Sequence, residues 1–158
     1  MDMTLTALAF VPATSASAQA SFGTRNSRPM WAFDDTTAES IEAHGLKAAN
    51  YSAGTINVVI EWAADTATSG NGGWDVSIES VTPDADDLDS DSFASAQSGS
   101  DTTASVAGET IETTVTFTQA QADSVADGEM FRIRISRDTA VSGDLTGDIQ
   151  LFTVRVYE

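Results

Sequence analysis

The chain has 158 residues and a mass of 16.5 kDa, a size that gives one domain with a hydrophobic core. It carries 24 Asp and Glu against 7 Lys and Arg, and the resulting net charge of -17 argues against binding to nucleic acid or to an anionic membrane surface. Without cysteine and with a single histidine, His44, it has no disulfide, no thiolate nucleophile and no histidine pair. We therefore expect no cofactor.

The N-terminal stretch is similar to a signal peptide, but it lacks the decisive features. An apolar run at residues 5–11 is followed by the small residues Ala16, Ala18 and Ala20. The run is short, however, and Asp2 stands in a region where signal peptides carry Lys or Arg. It is also too short for a transmembrane helix. We expect residues 1–27 to form an extended arm instead.

Such an arm, rich in Ala, Ser and Thr, buries too little apolar surface to offset its own ordering entropy. We therefore expect a partner subunit to hold it in place. The residues predicted to lie at this interface are Leu5, Leu8, Phe10, Phe22, Arg25, Arg28 and Trp31.

Hydrophobic alternation predicts β-strands through most of residues 28–158. The clearest case is residues 55–62, where Ile56, Val58, Ile60 and Trp62 share one face. Further strands are predicted at residues 74–79, 111–117, 131–136 and 149–157, and weaker ones at residues 29–33 and 40–46. Residues 119–125 have room for a short helix. About eight short strands without βα alternation predict an all-β antiparallel sandwich of jelly-roll type at residues 28–158, preceded by the arm.

Charge is distributed unevenly along the chain. Residues 48–131 contain many acidic residues and neither Lys nor Arg, whereas residues 132–158 contain four of the arginines. Opposite charges commonly pair across neighbouring strands. We therefore expect the arginines to pair with carboxylates of the same sheet, or else with those of a neighbouring subunit.

The acidic segment at residues 84–91 partly resembles a calcium-binding loop. When the pattern is started at Asp87, positions one, three and five are aspartates. Its sixth position is Ser92 where the motif requires glycine, and its twelfth is Ser98 where the motif requires glutamate. A solvated loop is favoured, and no metal site is predicted.

Two further patterns offer weak functional alternatives. Glu61 and Glu79 would form a glycosidase-like pair if their strands were neighbours, but both lie on polar strand faces, where solvated carboxylates are ordinary. The chain is therefore not expected to be an enzyme. Trp31, Trp62 and Trp74 would suit a sugar-stacking platform, yet Trp62 and Trp74 lie on apolar faces, which favours core packing.

Several turn and strand motifs resemble a family of small β-sandwich structural proteins from tailed-phage virions. The motifs are GTINVVIEW at residues 54–62, ATSGN at 67–71, WDVS at 74–77, FRIRISRD at 131–138 and GDLTGDI at 143–149. The resemblance implies a capsid decoration or cement protein, often a homotrimer, that sits on the capsid surface of the virion and clamps neighbouring subunits of the major capsid protein. No catalytic residue is implied.

Two other functions remain open at this point. The same sandwich would serve as a tail, neck or fibre-associated virion subunit. The more distant alternative is a secreted carbohydrate-binding or adhesion module of a salt-adapted cell, which the signal-like start and the acidic composition would suit.

Overall fold

Two antiparallel sheets face each other in the computed structural model, which describes residues 1–13 and 18–158. Sheet A contains β1 (Asp2–Thr6), β3 (Ser21–Arg25), β4 (Arg28–Phe33), β6 (Ile56–Ala64), β9 (Ile111–Phe117) and β11 (Ile149–Tyr157). Sheet B contains β2 (Val11–Pro12), β5 (Ser40–Lys47), β7 (Asn71–Val81), β8 (Gln97–Thr102) and β10 (Met130–Arg137). The predicted all-β antiparallel sandwich of jelly-roll type is confirmed.

Helical structure within the described residues is limited to two 3-10 turns, at Ala7–Ala9 and Gln119–Ala122. The second lies inside the segment predicted to form a short helix, and a capping box between Thr118 and Gln121 begins it. Neither turn has the length or the hydrophobicity to cross a lipid bilayer.

Strand β11 lies in the middle of sheet A. One of its edges pairs with β6 along most of its length. Its other edge pairs first with β4, through residues 149–151, and then with β1, through residues 153–157. Because β11 has neighbours on both edges, it is a central strand of sheet A.

The core lies between the two sheets and follows the predicted alternation. The inward side chains of β6 and β10 are almost completely buried, namely Ile56, Val58, Ile60, Trp62, Phe131, Ile133 and Ile135. Trp74 contacts Phe33 edge-to-face, with 5.1 Å between ring centroids. Full burial of each such large side chain stabilises the fold by about 1.5–3 kcal/mol. The two sheets are therefore held together mainly by this aromatic and aliphatic layer.

The N-terminal residues are held by their own chain, which corrects the expectation that a partner subunit would be needed. Leu5, Ala7 and Phe10 are buried in the same core as the later strands. The register of β1 against β11 runs from Asp2 opposite Tyr157 to Thr6 opposite Thr153. The described part of residues 1–27 thus supplies β1, β2 and β3 to the two sheets, while the predicted domain boundary at residue 27 stays a prediction. Ala16 of the signal-like pattern lies outside the described residues.

Arg137 is completely buried at the end of β10, where it organises one end of the sandwich. Its guanidinium donates hydrogen bonds to the carbonyl oxygens of Phe33, Leu145 and Gly147 at 3.1, 3.0 and 2.7 Å. It also pairs with the Asp144 carboxylate at 3.2 Å. The planar guanidinium fork is suited to satisfying several acceptors at once. Arg137 therefore joins the end of β4 to the loop that precedes β11.

We expect Arg137→Met to lower the free energy of unfolding by about 3–5 kcal/mol, because it leaves a carboxylate and three carbonyls without their donor. Chemical denaturation measures the loss. The matched control is Arg155→Met, which breaks the pair between Arg155 and Asp2, whose side chains are 54% and 58% exposed. This variant should change stability far less. Equal losses in the two variants would contradict the structural role of Arg137.

Glu39 lies beside the same end of the sandwich in an acidic surrounding. Burial raises the pKa of the Glu39 carboxyl above its usual 4.5, and the neighbouring Asp34 and Asp148 carboxylates add to the increase. A hydrogen bond of 2.8 Å from the Asp34 backbone N–H to Glu39 Oε2 opposes the increase only in part. The folded state therefore holds the Glu39 proton more tightly than the unfolded state does, and the ionised carboxylate reduces stability at neutral pH.

Replacing Glu39 with Gln should consequently raise the free energy of unfolding at pH 7. Below the ordinary carboxyl pKa the replacement should leave this free energy nearly unchanged, because Glu39 is then protonated in both the folded and the unfolded state of the unsubstituted chain. Urea unfolding at about pH 7 and about pH 4 measures both values. Glu109→Gln, at an exposed loop position, makes the same change in net charge. An equal gain in that control would assign the effect to net charge and not to Glu39.

Candidate functional site

A cleft of about 730 Å³ opens on the outer face of sheet A. Its walls come from β11, from β6, from the β3–β4 hairpin and from the segment that follows β1. Its lining includes Leu8, Arg25, Arg28, Glu61, Phe152 and Thr153. The cleft therefore combines an apolar wall with charged and hydroxyl groups on one sheet face.

A β-bulge in β11 places two neighbouring side chains in the cleft. Leu151 pairs with Trp62 and Thr153 pairs with Glu61, so Phe152 is an extra residue between two regular pairs. Such a bulge re-aims side chains that would otherwise alternate between the faces. Phe152 and Thr153 both line the cleft as a result, and the Thr153 hydroxyl donates a hydrogen bond of 2.9 Å to Glu61 Oε2.

A tight hairpin turn fixes the two arginines of the cleft side by side. Arg25 and Arg28 are the last cross-strand pair of β3 and β4, and two residues connect them. Those residues, Asn26 and Ser27, have φ values of 45° and 64°. Positive φ at both central positions is what a type I′ turn requires, and this turn suits the twist of a two-residue hairpin.

Arg25 is anchored across the edge of the cleft. Its guanidinium donates hydrogen bonds to Gln150 Oε1 at 2.8 Å and to the carbonyl oxygens of Ala64 and Asp65 at 3.1 and 3.2 Å. Gly108 packs directly against it with a φ of 86°, and a Cβ at that position would lie 2.6 Å from Arg25 Nη2. Glycine at 108 therefore allows the loop before β9 to close on Arg25.

The outer face of sheet B is covered by a segment of the chain, whereas the outer face of sheet A is open at the cleft. Residues 82–96 cross it, and the Phe93 ring lies between Arg132 and Arg134, whose guanidinium carbons are 4.5 and 4.1 Å from the ring centroid. Each arginine pairs with the carboxylate directly opposite it in the sheet, Arg132 with Glu79 at 2.5 Å and Arg134 with Glu42 at 2.7 Å. Cross-strand pairing within one sheet is thus confirmed for these two arginines.

The seven residues predicted to contact a partner subunit lie in three different environments. Those buried in the core are Leu5, Phe10 and Trp31. Those that line the cleft are Leu8, Arg25 and Arg28. Phe22 is 51% exposed on β3 and packs edge-to-face on Trp31, with 5.3 Å between centroids. A shared interface for all seven stays a prediction.

The tryptophans do not form a sugar-stacking platform. Trp62 and Trp74 are completely buried, so the predicted core packing is confirmed. Trp31 is 5% exposed, and its indole N–H donates a hydrogen bond of 2.8 Å to the Ala7 carbonyl. The aromatic ring in the cleft belongs instead to Phe152, whose position depends on a bulge that the sequence pattern did not reveal.

The glutamate pair considered as a catalytic constellation is separated by the fold. Glu61 belongs to β6 of sheet A, whereas Glu79 belongs to β7 of sheet B and is paired with Arg132. The condition that their strands be neighbours is not met, because the chain changes sheets between them.

The acidic segment at residues 84–91 forms turns closed by its own backbone and carboxylates. Asp86 accepts a hydrogen bond from the Thr82 N–H, and Asp87 accepts one from the Asp89 N–H. Within residues 1–13 and 18–158, no group of three or more His, Asp or Glu side chains is placed to hold a metal ion.

No protein-family model matches the chain, and no curated protein matches it. Solved structures do match over its whole length. A family 35 carbohydrate-binding module from Clostridium thermocellum has a TM-score of 0.56 at 10% identity, with 100% of this chain and 98% of that chain covered. The C-terminal family 6 module of a marine laminarinase from Zobellia galactanivorans has a TM-score of 0.53 at 10% identity, with both chains fully covered.

A third match is the xylanase 10B fragment of Clostridium thermocellum that contains a family 22 module and a family 10 glycoside hydrolase module, solved in complex with xylohexaose. Its TM-score is 0.53 at 10% identity, over 97% of this chain and 27% of that one. At these identities the likeness establishes the fold. This chain therefore has a β-sandwich fold like that of carbohydrate-binding modules.

The predicted resemblance to phage virion proteins is wrong. The full-length structural likeness is to carbohydrate-binding modules. The predicted capsid decoration and the predicted major capsid protein partner are wrong with it. The predicted homotrimer rested on the same resemblance and has no other support. The motifs behind the error, such as residues 54–62 and 143–149, are strand faces and turns that unrelated sandwiches share, so they specified architecture and not role.

We expect Phe93→Ala to loosen residues 82–96 without unfolding the sandwich, because the ring holds this segment to Arg132 and Arg134. Limited proteolysis should cut the variant within the segment faster than the native chain, with little change in the thermal midpoint. Leu88→Ala, at a position 67% exposed in the same segment, is the control and should leave the cutting rate unchanged. An unchanged cutting rate in the Phe93→Ala variant would contradict the role of this ring in holding the segment.

Proposed function

We propose that the protein is a non-catalytic carbohydrate-binding module and that the cleft on sheet A holds a segment of a polysaccharide. The observation that carries the proposal is the cleft itself: an open site of about 730 Å³ with one aromatic ring among charged and hydroxyl side chains, on a sandwich of this fold. Its volume falls within the range of about 300–1,000 Å³ found for ligand sites.

The lining suits the two chemical surfaces of a sugar. The half-buried ring of Phe152 offers an apolar face against which the C–H groups of a pyranose can pack. Around it, Glu61 supplies acceptors, Thr153 a hydroxyl, and Arg25 and Arg28 supply guanidinium donors. Convergence of a few polar groups on an apolar wall is how orientation and specificity are usually achieved.

Binding without hydrolysis follows from the charges in the cleft. Glycoside hydrolysis ordinarily requires two carboxyl groups about 5–9.5 Å apart on either side of the scissile bond. Among the residues that line the cleft, Glu61 is the single carboxylate. A general acid and a nucleophile or base cannot both be supplied from this lining.

The proposal is tested by affinity electrophoresis of the native chain in gels that contain xylan, laminarin, a soluble cellulose derivative or mannan, with isothermal titration for any polysaccharide that retards it. We expect retardation by at least one polysaccharide. Absence of binding throughout a panel that also includes acidic polysaccharides would overturn the proposal.

We expect Phe152→Ala to weaken binding of the retarding polysaccharide about tenfold or more, since a central aromatic hot spot is typically worth about 2 kcal/mol or more and about 1.4 kcal/mol corresponds to tenfold. The matched control is Phe22→Ala, which removes an exposed ring outside the cleft. Its affinity should equal that of the native chain. If both variants lost affinity to the same extent, the site would not be this cleft.

A further inference from the structure

The cleft carries an excess of positive charge on a strongly acidic protein. The chain has 24 acidic and 7 basic residues, yet the charged residues that line the cleft are Arg25, Arg28 and Glu61. Two of the few basic residues thus lie together at a site whose lining holds one carboxylate, Glu61, while a second carboxylate, Asp65, lies 3.6 Å from Arg25. If the charged residues of this composition were placed at random, acidic residues would outnumber basic residues in the cleft lining.

The hairpin forces these two positive charges into adjacent positions. Arg25 lies directly opposite Arg28 at the end of β3 and β4, and the type I′ turn between them fixes the register. Like charges directly opposite each other on neighbouring strands destabilise a sheet. An anion bound between or beside the two guanidinium groups would relieve this repulsion.

Arg28 differs from the other arginines in having no carboxylate partner among residues 1–13 and 18–158. Five arginines have such partners, and the pairs are Arg25 with Asp65, Arg132 with Glu79, Arg134 with Glu42, Arg137 with Asp144 and Arg155 with Asp2. For Arg28 the polar contact is a hydrogen bond of 3.5 Å to the Asn26 carbonyl, at the limit of hydrogen-bond length. Its donors are therefore available to a ligand.

We propose that the cleft binds an acidic polysaccharide and that Arg28 pairs with a carboxylate or sulfate group of the bound chain. A guanidinium matches the two oxygens of either group in a bidentate geometry. Arg25, anchored to Gln150 and Ala64, contributes positive charge at the edge of the same site. This inference rests on the proposed carbohydrate-binding function and specifies its ligand class.

The net charge of -17 opposes the binding of any polyanion at long range. A protein so acidic repels polyanions in general, so any preference for an acidic polysaccharide has to arise from local contacts. At about 0.15 M salt the Debye length is about 8 Å, which screens the distant carboxylates while leaving direct contacts in the cleft effective. Binding measured at this ionic strength therefore reports on the site.

The test compares polysaccharides that differ in their acidic groups. Polygalacturonate is titrated against its fully methyl-esterified form, and carrageenan against the same carrageenan after desulfation, at about 0.15 M salt. We expect the acidic member of one pair to bind at least about tenfold more tightly, and the responding pair distinguishes carboxylate from sulfate. Arg28→Gln should abolish that preference. Lys47→Gln removes one positive charge outside the cleft and should preserve it.

The outcomes separate this inference from the proposed function. Equal binding of the acidic and neutral members, binding of neutral polysaccharides alone, or an unchanged preference in Arg28→Gln would overturn the acidic ligand while leaving carbohydrate binding in place. If Arg28→Gln and Lys47→Gln both lost the preference for the acidic polysaccharide, the preference would depend on net charge, and the role of Arg28 would be overturned. A failure of the native chain to bind any polysaccharide would overturn both proposals.

Discussion

The pairing of β11 with strands on both of its edges is the interaction on which the rest of the structure depends. It joins the last strand of the chain to β6 on one side and to β4 and β1 on the other. In the described structure β1 is held in sheet A by its pairing with β11. The same strand carries the bulge that places Phe152 and Thr153 in the cleft, so the core and the candidate site share one element.

Carboxylates greatly outnumber arginines in this molecule, and most of the arginines pair with one carboxylate each. Arg137 satisfies backbone carbonyls in the interior, while Arg132 and Arg134 hold the segment over sheet B. Each of these three has a structural task and a carboxylate that neutralises it. Within residues 1–13 and 18–158, Arg28 has no carboxylate partner, and it lies at the open cleft. This contrast with the three paired arginines is the basis for proposing that Arg28 contacts the ligand.

The two sheets present different outer faces, and this difference decides where a ligand has access. On sheet B, Phe93 and the segment around it cover the arginine and glutamate pairs. On sheet A, the bulge, the hairpin and the turn that follows β1 surround an open depression. A polysaccharide is long and lies along a surface, so an open cleft on a sheet face suits it better than a closed cavity. The fold thus provides a rigid platform, and the segments at its rim provide the chemistry.

The sequence by itself determined the fold class, the positions of the longer strands and the burial of Trp62 and Trp74, since period-two alternation is a local property that a single strand displays. It missed β1, β2, β3 and β8, which are short or polar and are defined by their neighbours. It also indicated a virion role, because strand and turn motifs specify architecture and not function. Only the tertiary structure decided that Leu5 and Phe10 pack inside their own chain, that Glu61 and Glu79 belong to different sheets, and that a cleft exists. Those facts depend on contacts between residues far apart in sequence, and no local pattern encodes which strands become neighbours.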